Sequence, residues 1–150
     1  MRDRTILLQN ITISDDSKCL VIAEIGHNHQ GNVELCKQMI KAAFDAGATA
    51  VKLQKRSNKN LFTKQYFDRP YNSENSFGAT YGEHRENLEF DRDQYLELQT
   101  FSAHLGVVFF ATAFDFESAD FLNDINVPAF KVASGDLKNI PLVKYLATFG

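Results

Sequence analysis

The sequence predicts an α/β protein made of four consecutive strand–helix units, so that its strands lie side by side in a parallel sheet with right-handed crossovers. Three observations carry this. Apolar runs too short for helices recur at residues 19–23, 50–54, 107–113 and 130–134, each is followed by a segment with helical apolar spacing, and capping or stop residues stand between them. Such a sheet is either an open doubly wound one or part of an eight-fold barrel.

Residues 5–14 alternate Ile6, Leu8, Ile11 and Ile13 and read as a small hairpin. Residues 1–18 are therefore expected to plug one end of a barrel formed by residues 19–150. The run 19–23, continuous in its apolar character and ending at Glu24, Ile25 and Gly26, predicts a strand buried on both faces. Asn32 can cap the next helix, whose Val33, Cys36, Ile40, Ala43 and Phe44 share a face before Gly47 supplies a left-handed stop. After the strand at 50–54, residues 56–90 form a long polar and aromatic loop of the kind that serves binding sites.

Asp91 and Gln94 have capping-box spacing for a helix that Gly106 closes, and a strand follows at 107–113. Residues 115–125 place Phe116, Ala119, Leu122 and Ile125 on one helical stripe, and Pro128 prevents continuation into the strand at 130–134. Pro141 opens a last helix over 142–149, in a first turn where its missing donor costs nothing.

With 150 residues and 44% apolar content the chain can bury a sizeable core. Sixteen Lys and Arg against 19 Asp and Glu give a net charge of -3, which argues against nucleic acid and anionic membranes and favours a small soluble partner. No apolar run approaches the roughly 20 residues of a membrane span, and the start lacks a signal-peptide core, so a cytoplasmic location is expected. Cys19 and Cys36 have neither metal nor redox spacing and read as small buried hydrophobes. With no closing element after the fourth helix, the chain reads as the front portion of a longer enzyme.

Lysines inside two strand runs are the chemical signal. Lys131 among Phe130, Val132 and Ala133 reads as a buried ammonium that needs an anion, and Lys52 repeats the feature two strands earlier. If both fill one barrel layer they can cradle a di- or trianion such as a phosphorylated carboxylic acid, with Glu24 and Thr112 in a neighbouring layer. The plainer alternative is that each lysine reaches solvent or pairs with Glu24 or Asp136. Ser134, Gly135 and Asp136 add a hydroxyl, a close-approach backbone and a carboxylate. His27 and His29 are two apart with no further ligand set nearby, so hydrogen bonding is favoured over a metal.

These segments together resemble the sialic acid synthase family: 22–31 with its Glu24, Gly26, His27, Asn28 and His29; 46–54 with Lys52 and Gln54; and 127–136 with Lys131, Ser134, Gly135 and Asp136. The insert, with Arg69, Pro70, Tyr71 and the run 80–85, looks like the subgroup of animal-type 9-phosphate synthases. Gly135 argues against the pseudaminic acid branch.

The resemblance implies a TIM-type (β/α)8 barrel, of which this chain holds the first four βα units plus the N-terminal hairpin. It implies phosphoenolpyruvate contacts at Lys52, Thr112, Lys131 and Ser134, an acidic residue near the reacting carbons at Glu24, and sugar-facing positions at Gln54 and Asp136. Glu24 or Asp136 is expected to manage the proton or orient water. The acceptor implied is N-acetylmannosamine or its 6-phosphate. A divalent Mn²⁺ or Mg²⁺ held by histidines beyond residue 150 and a homodimer are also implied. Alternatives are a related legionaminic-type synthase, a Schiff-base aldolase with Lys131 as nucleophile, and a non-catalytic fragment; the 150 residues alone are expected to be inactive.

Overall fold

The computed structural model describes residues 4–149. A hairpin of β1 (Ile6–Leu8) and β2 (Ile11–Ile13) precedes a four-stranded sheet of β3 (Ile22–Gly26), β4 (Ala50–Lys55), β5 (Val108–Ala113) and β6 (Phe130–Val132), parallel throughout and in the spatial order β3, β4, β5, β6. The crossovers carry α1 (Val33–Asp45), α5 (Arg92–Leu105) and α6 (Phe116–Asp124), and α7 (Ile140–Leu146) follows β6. Unbroken sequential order is what a barrel wall and one half of an open sheet have in common.

Local chemistry sets the ends of these elements. The Asn32 side chain accepts from the Leu35 backbone at the start of α1, and Asp91 and Gln94 exchange both bonds of the capping box at the start of α5. Gly106 stops α5 in the left-handed conformation. Pro141 lies in the first turn of α7, which begins two residues earlier than expected because Asn139 supplies its cap.

The centre of the sheet holds the core. All six residues of β5 are buried, and Val51, Leu53, Phe109 and Ala111 pack beneath Cys36, Ile40, Tyr95, Leu98, Ala119 and Leu122 of the helices. Each large side chain there contributes about 1.5–3 kcal/mol.

Four expectations need correction. The first strand is not buried on both faces: β3 is an edge of this sheet with only β4 beside it, and Val21 and Ile22 are 53% and 45% exposed. Cys19 precedes that strand and is exposed, whereas Cys36 is buried as expected. The fourth strand stops at Val132, since Ser134–Asp136 winds into a 3₁₀ turn in which the Asp136 N–H donates to the Ala133 carbonyl. The insert is not a plain loop either. It folds into α2 (Asn58–Leu61), α3 (Lys64–Phe67) and α4 (Tyr81–Glu86), held by the Thr80–Glu83 capping box and by Phe62, Tyr66 and Tyr81 ring contacts.

Candidate active site

Side chains alternate faces along a strand, so Lys52 and Gln54 of β4 share a face, and strand register extends that face across the sheet. Glu24 stands opposite Lys52, while Gln54 stands opposite Thr112, which stands opposite Lys131. Beyond β6 the 3₁₀ turn carries Ser134 and Asp136 to the same end. Glu24, Lys52, Gln54, Thr112, Lys131, Ser134 and Asp136 thus line one open cleft of about 540 Å³ at the carboxyl ends of the strands, joined by Phe114, Ala133 and Gly135. Ligand sites in parallel sheets favour this end.

Lys52 is only 9% exposed, and its ammonium donates to Thr112 Oγ1 at 2.7 Å and pairs with Glu24 Oε2. The other Glu24 oxygen accepts from Gln54 Nε2 at 3.1 Å. Gly26 makes room for this pair: at φ +59° a Cβ there would lie 3.2 Å from Glu24 Oε1 and 3.5 Å from Gln54 Nε2. A proteinaceous carboxylate therefore occupies the side of Lys52 where an anion was expected, which is the ion-pair alternative realised.

Lys131 departs from its expected setting. It is exposed, and its ammonium donates to the Val132 carbonyl, because β6 is the other edge strand and turns away after three residues. The two lysines also stand in different rows, the Lys52 row holding Glu24 and the Lys131 row holding Gln54 and Thr112. Glu24 and Thr112 accordingly do not form a separate layer. What unites the lysines is the cleft, one amine buried and paired in its wall and the other exposed at its surface.

Behind the cleft lies a charged cluster that the sequence did not disclose. His27 Nε2 is 3.2 Å from the Gln54 backbone oxygen and 3.3 Å from Glu89 Oε1, while its Nδ1 faces Arg85 Nη2 at 3.1 Å and Arg56 Nη1 at 3.4 Å. Arg56 Nη1 also lies 3.5 Å from Nε2, so both ring nitrogens of His27 face this cluster of charged groups. Burial alone would raise the Glu89 carboxyl, but His27, Lys55 and the Arg56 backbone outweigh it and hold it below its ordinary value. Burial, reinforced by the charge of Arg85, lowers Arg56 to about 10. Residues 27, 56, 85 and 89 have no local periodicity that would have grouped them; only the fold of the insert does so.

His29 is enclosed in the protein interior and engaged by its own loop. It is 1% exposed, stacks on Phe90 at 4.1 Å and accepts from the Gly31 N–H, and burial, aided by His27, pushes it down to about 4. Among the described residues no three His, Cys, Asp or Glu side chains are grouped so as to hold a metal ion.

Comparison with known proteins gives a consistent picture. A family model described as the NeuB family matches residues 39–150. N-acetylneuraminate-9-phosphate synthases of Mus musculus and Homo sapiens are each 45% identical over 132 residues, 88% of this chain and 37% of theirs, and that of Drosophila melanogaster is 50% identical over 127 residues, 85% and 34%. The chain thus spans about a third of the length of the curated relatives it matches. An N-acetylneuraminic acid synthetase from Leptospira borgpetersenii, solved in complex with citrate, superimposes with a TM-score of 0.79 at 31% identity over 98% of this chain and 47% of that one.

Proposed function

Because this chain belongs to the NeuB family, we propose that it is the front part of a sialic acid synthase, which condenses phosphoenolpyruvate with N-acetylmannosamine or its 6-phosphate. The observation that carries the reading is the single cleft on which all seven expected site residues converge. The 9-phosphate synthases at 45–50% identity favour the phosphorylated acceptor. In this reading the four-stranded sheet is one side of a TIM-type barrel, the hairpin closes its lower end, and the whole enzyme is a cytoplasmic homodimer.

Lys131 and Ser134 sit where they can receive the phosphate or carboxylate of phosphoenolpyruvate, and Lys52 and Thr112 supply a preorganised donor pair deeper in the wall. The C3 carbon attacks the acceptor aldehyde, forming the new C–C bond, and the aldehyde oxygen takes up a proton. Water adds at C2 and loses a proton; the C2–O bond then breaks, phosphate leaves, and the C2 hydroxyl becomes the ketone after proton loss. Glu24, already receiving two donors, is placed to orient water or hold its proton, and Asp136 is the second candidate, with Gln54 facing the sugar. Among the described residues no group of side chains fits the divalent metal implied for the family.

Lys131 is exposed, the opposite of the desolvated setting that activates a nucleophilic lysine, which disfavours the aldolase. The full-length protein supplied with phosphoenolpyruvate carrying ¹⁸O in its C2–O bridge is expected to release labelled phosphate only when the amino sugar is present. Unlabelled phosphate, or a borohydride-trapped pyruvate adduct on Lys131, defeats the reading.

A further inference from the structure

Arg56 stands directly behind the cleft wall, and among the described residues no carboxylate lies within ion-pairing distance of its guanidinium. That group lies over the Phe114 ring at 3.7 Å, and its Nη2 donates to Gln54 Oε1 at 2.7 Å. Phe114 and Gln54 both line the cleft.

A glutamine amide is polar at both ends, one accepting and one donating. With its oxygen turned to a permanently charged donor, the Gln54 nitrogen must face the other way, and there it meets Glu24 Oε1 at 3.1 Å. Reversal would set NH₂ against guanidinium and oxygen against carboxylate, so both contacts would turn repulsive. Without Arg56 the second orientation loses half of that penalty. Arg56 is itself braced by the ring beneath it and by the His27 imidazole, whose two nitrogens lie 3.4 and 3.5 Å from Nη1.

We propose that Arg56 is a positioning residue: by fixing which end of the Gln54 amide faces inward, it holds the Glu24 carboxylate in the orientation that receives Gln54 and Lys52 together. The kinetic consequences rest on the synthase reading; the side-chain geometry does not.

The test uses the full-length protein with glutamine labelled by ¹⁵N at the side-chain amide. The Gln54 signal, assigned by its loss in Gln54→Met, should carry one downfield proton from its bond to Glu24. Glu24→Ala is expected to abolish that shift; Arg56→Met, which leaves the Glu24 contact as the sole bias on the amide, is expected to reduce it clearly, and Arg56→Lys, whose ammonium can still donate to the amide oxygen, is expected to restore it. An unmoved signal in Arg56→Met overturns the proposal whether or not the protein turns over substrate. In kinetics, Arg56→Met should lower kcat roughly tenfold, the loss of about one hydrogen bond's orientation, with KM for phosphoenolpyruvate within about twofold. Arg56→Met combined with Gln54→Met should be no slower than Gln54→Met alone; losses that multiply overturn the assignment. A normal amide signal in a protein that condenses nothing would remove the synthase reading and leave the role of Arg56 standing.

Discussion

Replacing each cleft lysine by methionine separates two ways of holding an anion. Lys131 is exposed and among the described residues bonds a backbone carbonyl, so in the synthase reading phosphoenolpyruvate would displace that carbonyl and water and gain one charge-assisted contact. Such a contact contributes about 1.5–3 kcal/mol, so Lys131→Met should weaken phosphoenolpyruvate binding roughly 10- to 150-fold, with far less effect on the amino sugar. Its folding stability should stay within about 0.5 kcal/mol of the parent, as for other exposed positions. Lys52→Met removes a donor of the same class and also leaves the Glu24 carboxylate unbalanced beside the incoming anion, so its binding loss should exceed that of Lys131→Met. Removing one partner of a fully buried pair costs about 3–5 kcal/mol, but the Glu24 side chain is 47% exposed and can be rehydrated. The expected folding loss for Lys52→Met is therefore smaller, about 1 kcal/mol. Calorimetric titration of each ligand into the full-length variants, beside their urea unfolding curves, measures both quantities. Equal weakening of both ligands by Lys131→Met, or a smaller binding loss for Lys52→Met than for Lys131→Met, refutes the assignment.

His29 gives the protein a pH-dependent stability. Its folded value of about 4 lies below the ordinary 6.5, so the unfolded chain binds the proton more readily, and stability is full above about pH 6.5 and lost as pH falls from there toward 4. At 1.36 kcal/mol per unit this amounts to at most about 3.5 kcal/mol, and His29→Gln should flatten the slope of urea-unfolding free energy in that window; an unchanged slope rules the site out. Gly31→Ala should destabilise by at least about 2 kcal/mol, since the residue sits at φ +74° and a Cβ would fall 2.2 Å from the Asn87 carbonyl oxygen. Parent-like unfolding of that variant would mean the loop and insert do not meet as described.

Much of the fold was legible because its signals are local. Capping pairs such as Asp91 with Gln94, the stripe through Phe116, Ala119 and Leu122, and the punctuation by Gly106 and Pro141 depend on neighbours within a turn or two, and the elements they mark formed with small shifts at their ends. The insert misled because its short helices are stabilised by aromatic contacts between residues such as Phe62 and Tyr81, far apart in sequence and without a period. The cleft was half legible. Two lysines in strands flagged it, but burial of a strand residue depends on what lies beside the strand, and so Lys52 is enclosed in a central strand while Lys131 is open on an edge.

The sequence by itself determined the order and kind of the secondary elements and the residue types available at their carboxyl ends, because hydrophobic period and capping act over a few residues. Only the tertiary structure decided that Glu24 pairs with Lys52, that Gln54 is turned by Arg56, and that His27, Arg85 and Glu89 gather behind them. Those contacts join residues up to 62 positions apart, and their energies depend on distance and solvent exposure, which strand register and the folding of the insert alone fix.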